Sequence, residues 1–346
     1  MVEFLNRYVS IQKEGTTYGS TSSGGTEVYG EVDDESFAHN FDLLTRQDMS
    51  RQIASKSVTG TEYSEGGINM AVQVDDFTGN ILAAFFPKTA VASSVHTFSE
   101  PVVAADAYNS YTIQVGREEK EHTYTGMVGS SLSMTANVGE YVMMSADFVG
   151  KAESDVAAIA GSGTVTFHGD ALDALYFANG SVIFNDGSGG AQATASLDVK
   201  SFSFDISLNR DQDNAYALGT NTYNRAPASQ RREISGSIEF NKVIYTATSD
   251  EPTYQLLTDP DGLAMSDDAA DPTITLNLQS ELNNDSEYIK VNFYNVRFEA
   301  PSANVSGRDT NTMSVNFVGL YDNTASGANK AMDITVKGGA ISATAL

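Results

Sequence analysis

Four histidines, His39, His96, His122 and His168, are the residues of this chain best suited to metal binding or proton transfer near neutral pH. Their spacing supports neither. No two stand at ligand spacing and HExxH is absent, so no zinc site is expected, and each reads as a surface or strand residue. There is no GxSxG elbow for a serine nucleophile, and with no cysteine there is no thiolate and no disulfide framework. Neither GxGxxG nor GxxxxGK followed by Ser or Thr occurs, so no phosphate-binding loop is expected. NRDQDN (209–214) alternates Asp211 and Asp213 as a calcium loop begins, but the glycine at the sixth position and the glutamate at the twelfth are missing. DPDG and SDDAAD (259–271) form an acidic cluster whose alternative reading is a calcium site in salty surroundings. Carboxylate pairs for glycoside hydrolysis can be drawn freely from 45 acids, so none is singled out. The absence of tryptophan tells against a sugar cleft, although 16 tyrosines remain. The chain reads as a non-enzyme without metal or cofactor.

The elements that carry these residues are mostly strands. YTIQVG, SLSMTA, YVMMSADFVG, GTVTFHG, GSVIFNDG, SFSFDISLN, EISGSIEFN, TITLNLQSE, YIKVNFYNVRFEA, TMSVNFVG and AMDITVKGG alternate apolar and polar residues with period two. Asn179-Gly180, Asp186-Gly187, Gly189-Gly190, Asp261-Gly262 and Gly338-Gly339 punctuate them as turns. Helices are few: VDDFTGNILAAFF, acidic at its start and stopped by Pro87; ESDVAAIA (153–160); and EPTYQLLTDP, bracketed by Pro252 and Pro260. Short Gly/Ser-rich stretches, GSTSSGGTEVYGE, NDGSGGAQATAS and DNTASGANKA, read as loops inside domains.

With 346 residues and 41% apolar content, the chain can bury a large core in two domains or one large β-domain. The opening MVEFLNRYVSIQKEGTTYG predicts no secretory signal. No window reaches the ~20 apolar residues that cross a bilayer, so a soluble chain is expected. The net charge of −25 disfavours ordinary nucleic-acid binding and is equally open to two readings, a surface tuned for solubility or a functional field.

MSADFVG (144–150) and MSVNFVG (313–319) are nearly the same word, 169 residues apart. SKSVTGTEY leading to NILAAFF is echoed by RREISGSIEF leading to TYQLL, and TGMVGSSLSMTA by IKVNFYNVRFEA, in the same order. The expectation is a tandem duplication with domains at 1–168 and 169–346.

YVSIQKEGTTYGS, an Arg-containing strand with VTG, a short apolar helix, YTG…SSLSM and SADFVGK, followed by FSFDISLNRDQDNAYALGT and RREISGSIEFN, resemble the tail tube proteins of long-tailed (siphovirus-like) bacteriophages and archaeal viruses. The resemblance spans nearly the whole chain. It implies mostly-β, two tandem β-sandwich or half-barrel domains, each flanked by a short helix. It also implies rings stacked into a hollow tube for the genome, with three two-domain chains in place of six one-domain chains. NAYALGTNTYNRAPASQ, inserted before RREISGS, leaves one enlarged domain and a six-chain ring as the other arrangement. Implied partners are further copies of the chain and the tape-measure, tail terminator and distal tail proteins. Genomic DNA would pass without specific binding, in a virion tail assembled in the host cytoplasm.

A channel that passes DNA must not hold phosphate, and an anionic wall avoids this. Strands that alternate outward acids with inward apolars make Asp147, Asp205 and Glu239 the candidate lumen-facing residues. With only seven prolines many strand edges lack a block, and pairing into a ring would close them. The segments 19–36 and 102–123 read as long loops, either reaching a neighbouring ring or flexible at the surface, with GREEKEHT as a solvated hairpin tip. The competing readings are a non-enzymatic binding module (another tail component of this fold, or a two-domain surface adhesin) and a β-sandwich hydrolase without a catalytic signature.

Overall fold

A computed structural model describes residues 7–20, 25–54, 56–92, 94–99, 109–159, 165, 167, 174–185, 198–241, 273–280, 287–302, 312–322 and 330–338. The first half contains β1 (Arg7–Lys13), β2 (Val28–Gly30), β3 (Asp34–Glu35), β4 (Ala38–Arg46), β5 (Lys56–Ala71) and α1 (Asp76–Phe85). It continues with β6 (Lys88–Ala92), β7 (Val95–Ser99), β8 (Tyr111–Arg117), β9 (Lys120–Asn137), β10 (Met143–Gly150) and β11 (Ala152–Ala158). The second half contains β12 (Gly180–Asn185), β13 (Val199–Ser207), β14 (Arg210–Asp211), β15 (Ala228–Ser229) and β16 (Glu233–Phe240). Then come β17 (Thr273–Gln279), β18 (Tyr288–Phe293), β19 (Val296–Phe298), β20 (Met313–Gly319) and β21 (Met332–Lys337).

The fold is mostly β, as the alternation predicts. The one α-helix among the described residues is α1, where the Asp75 carboxylate accepts from Thr78 N at 2.8 Å and Pro87 follows the last turn. The whole of Phe77–Phe85 is buried, against β1, β2 and β9. Gly30 permits this approach: a Cβ there would fall 2.2 Å from the Phe77 ring. Residues 153–158 of ESDVAAIA are not helical: they belong to β11 and pair antiparallel with β9, because the open edge of β9 satisfies their backbone groups and outweighs the helix preference of their alanines. EPTYQLLTDP and the acidic cluster 259–271 lie outside the described residues. The segment 19–36 is less of a loop than expected, since β2 pairs with β1 and β3 with β5. In 102–123, described from 109, β8 and the start of β9 form a hairpin whose tip is GREEKEHT.

One continuous path runs β19-β20-β16-β13-β9-β10-β5-β3, with β4 pairing β5 in the same register as β3. Its joint between halves is the β13–β9 ladder, Ser201↔Asn137 through Ser207↔Ser131. On the first-half side, β9-β10-β5-β3/β4 is matched on the second-half side by β19-β20-β16-β13. The outer layers also match: β1-β8-β9-β11 in the first half, β12-β17-β18-β21 in the second. β9 is long enough to serve both layers, where β18 and β19 divide the task. The hairpin β6–β7 of the first half extends the second-half layer along β21.

The registers agree in detail. Phe148 faces Gly66 and Phe317 faces Gly236, while Tyr124 opposes Ile113 as Phe293 opposes Ile274. The bulge on the β9–β10 ladder at Asp147/Phe148 has a counterpart: Phe298 opposes Phe317, yet Ser302 opposes Ser314, so one residue is extra. An aromatic pair recurs as well, Phe37–Tyr124 and Phe204–Phe293, each with ring centroids 5.6 Å apart. These registers align Gly66–Met70 with Gly236–Phe240. The SKSVTGTEY stretch matched by spelling therefore lies too early in β5.

Candidate functional site: the polar face of the shared sheet

The strands at the joint have one buried and one polar face. Leu132, Met134, Met144, Phe148, Phe202, Phe204, Ile238 and Phe317 enter a core that is continuous across both halves. Residues between them point the other way, and register sets them in rows. One row reads Asp147–Ser131–Ser207–Glu233, the next Asn69–Ser145–Ser133–Asp205–Ser235, and a third Asn137–Ser201–Glu239–Ser314.

Asp147, Asp205 and Glu239 thus stand on a single face of a single sheet. Asp205 is flanked across the strands by Ser133 and Ser235, Glu239 by Ser201 and Ser314, and Asp147 by Gly67 and Ser131. None of the three directly opposes another acid, which avoids the repulsion that like charges suffer in that position. Ser131 Oγ donates to Asp147 at 2.6 Å, and Lys200 Nζ pairs with Glu239 at 2.9 Å. Among the described residues no lysine or arginine reaches Asp147 or Asp205. The result is a hydroxyl-rich surface with spaced, largely uncompensated negative charge. Negative charge spaced in this way disfavours phosphate binding.

The inserted segment between β13 and β16 was not legible as part of this joint, yet it straps the two halves together. Arg210 Nε donates to Gly129 O at 2.8 Å, and Glu62 N donates to Asn221 O at 2.7 Å. Tyr223 packs on Tyr63 and Tyr216, at centroid distances of 6.4 and 4.8 Å. Burial there pushes the Tyr223 hydroxyl up from its ordinary range. The aromatic spacing of an otherwise polar loop is the signal that could have marked it. Glu14 also escaped sequence reading. Its buried carboxylate accepts from Gly19 N, Gly126 N, Ser110 Oγ and Thr112 Oγ1 at 2.6–3.0 Å, and Gly126 has φ +67°.

The residues weighed for chemistry are dispersed. His39 lies 3.9 Å from Glu62, His122 Nδ1 is 2.6 Å from Glu153, His96 is buried in β7, and His168 is outside the described residues. Asp211 is occupied by the backbone and side-chain amides of Asn214, which hold its carboxyl below the usual range. No cluster of three or more metal-ligating side chains occurs among the described residues. A hollow of about 730 Å³ is lined in part by Arg7, Tyr8, Glu35 and Arg117. Its Arg117 is engaged by both oxygens of Glu35 at 2.9 and 2.8 Å. No described helix is long and apolar enough to cross a membrane.

A family model described as phage tail tube protein matches residues 6–319. No curated protein matches the chain.

Proposed function

Because the chain belongs to the phage tail tube protein family, we propose that it builds the tube as a tandem of two tail-tube-like β-domains, 1–168 and 169–346, with three chains to a ring. The family is a structural one, whose members assemble into the tube of the virion tail. The observation that carries the proposal is the recurring strand order, joined across the halves by the β13–β9 ladder into one sheet.

Three chains to a ring are compatible with an open channel. Each chain supplies eight strand positions, so three chains supply 24. Strands about 4.8 Å apart, tilted by roughly 40°, then close at a backbone diameter of about 48 Å. A ring of that size leaves an open channel after side chains are added. One chain closing alone would make a small barrel with no channel, since about eight strands leave an interior that side chains fill.

In this arrangement the polar face lines the lumen and Asp147, Asp205 and Glu239 give it negative charge, so genomic DNA passes without being held. Because Asn316 stands where Asp147 does, charge at that position alternates around the ring. The apolar ribbon of β4–β5, with Leu43, Leu44, Met49 and Ile53 exposed, projects beyond the shared sheet and is available for contacts between chains. Tape-measure, terminator and distal tail proteins would meet the tube inside and at its ends. Negative-stain microscopy of the concentrated protein tests the reading: rings or tubes support it, and a persistent monomer opposes it.

A further inference from the structure

The internal joint specifies how two chains should meet. Val318, Ser235 and Asp205 lie opposite one another on β20, β16 and β13; Val149, Glu65 and Ala38 do so on β10, β5 and β4. Ala38 therefore occupies the place of Asp205. Ser133 opposes Ser145 as Ser302 opposes Ser314, with both members of each comparison 169 positions apart, so Ser302 occupies the place of Ser133. At the joint Asp205 and Ser133 are directly paired. Among the described residues, Ala38 and Ser302 stand at the two edges of the same sheet, with no further strand paired beyond them.

Burial differs as an unfilled joint requires. Leu208, one step beyond the β13 ladder, is 0% exposed, whereas Phe41 at the matching place is 59% exposed. Val149 is 5% exposed and its counterpart Val318 is 38% exposed, beside exposed Leu320 and Tyr321. Apolar side chains thus remain exposed near both edges, Phe41 on the core side of the sheet and Val318 on its polar side.

We propose that the contact between chains repeats the internal joint. The Ala38–Phe41 edge of one copy pairs antiparallel with the Glu299–Ser302 edge of a second copy, with Ala38 opposite Ser302 and Asn40 opposite Ala300. The contact is head-to-tail, so it closes into a ring when the rotation permits. This rests on the ring reading above and adds its register.

Pro301 makes the external contact weaker than its template. Leu208 N donates to Ser130 O and Val138 N to Lys200 O, so even-numbered residues of β9 direct their backbone groups at the joint. Pro301 takes the place of Leu132 and has no N–H, so one ladder bond is lost. A proline on an open edge also restrains premature pairing of free chains.

The chain contains no cysteine, so disulfide trapping is clean. Ala38→Cys with Ser302→Cys, oxidised after assembly, should give chains linked end to end, ending at a closed trimer on non-reducing gels. Asn40→Cys with Ala300→Cys is a second pair on the same face. Ser133→Cys with Asp205→Cys is the internal control, which must close within one chain whenever the protein is folded. If the control closes and rings form, but neither external pair links, the proposed register is wrong while the ring reading stands. If the control closes and no ring forms under any condition, the ring reading fails and takes the register with it. A ladder running to six chains would support the register and refute three chains per ring.

Discussion

Leu208 and Phe41 occupy matched places at a filled joint and an open one, so truncating each to alanine should separate folding from assembly. Leu208 is completely buried, and Leu208→Ala should lower the stability of the isolated chain by about 2–5 kcal/mol. Phe41 is 59% exposed in the single chain, and Phe41→Ala should change that stability little. A phenylalanine offers about 150–250 Å² for burial, so the part still open is about 90–150 Å². At about 25 cal/mol per Å², covering it in a contact between chains contributes about 2–4 kcal/mol. Losing it should weaken each contact by roughly 30- to 1000-fold. Urea denaturation of dilute chains gives the first quantity, and the concentration at which sedimenting assemblies appear gives the second. The reasoning is refuted if Phe41→Ala unfolds the dilute chain as readily as Leu208→Ala does. It is equally refuted if Phe41→Ala leaves the assembly concentration unchanged.

Asp147→Lys with Asp205→Lys should leave assembly intact but make tubes retain DNA, with affinity falling steeply as salt rises; a salt titration of fluorescent duplex checks this, and tubes that still ignore DNA would contradict a lumenal position. Glu14→Ala strands four donors, two of them backbone amides, and should cost about 3 kcal/mol, read as an earlier urea midpoint with unchanged slope. Gly236→Ala would set a Cβ 2.4 Å from the Phe317 ring and 2.5 Å from Ser203 O. It should destabilise by about 1–3 kcal/mol through overpacking, measured the same way, while Gly139→Ala, with open space around it but φ +92°, loses stability through backbone strain alone.

Local structure was legible where one residue's surroundings decide it. Alternation marked the strands because half-buried sheets demand it, and Asp75 with Pro87 bounded α1. That alternation also placed Asp147, Asp205 and Glu239 opposite core residues, and all three lie on one face. Legibility stopped where a distant partner decides. Residues 153–158 became strand because β9 had an edge to fill, which their spelling does not record. The repeated FVG words pointed to matching strands, but the matching of β5 to β16 was displaced within a long strand. Only the pairing of Gly66 with Phe148 and Gly236 with Phe317 sets it. The joining of the halves through β13 and β9 depends on a ladder between residues more than sixty positions apart, and the tyrosine strap over it depends on the fold being in place.

The central claim is that three two-domain chains make one ring. Native mass spectrometry of rings released gently from assembled tubes tests it most directly. The account predicts a species of three times 36.9 kDa. A ring of six chains, or a chain that never exceeds one copy at any concentration, would contradict it.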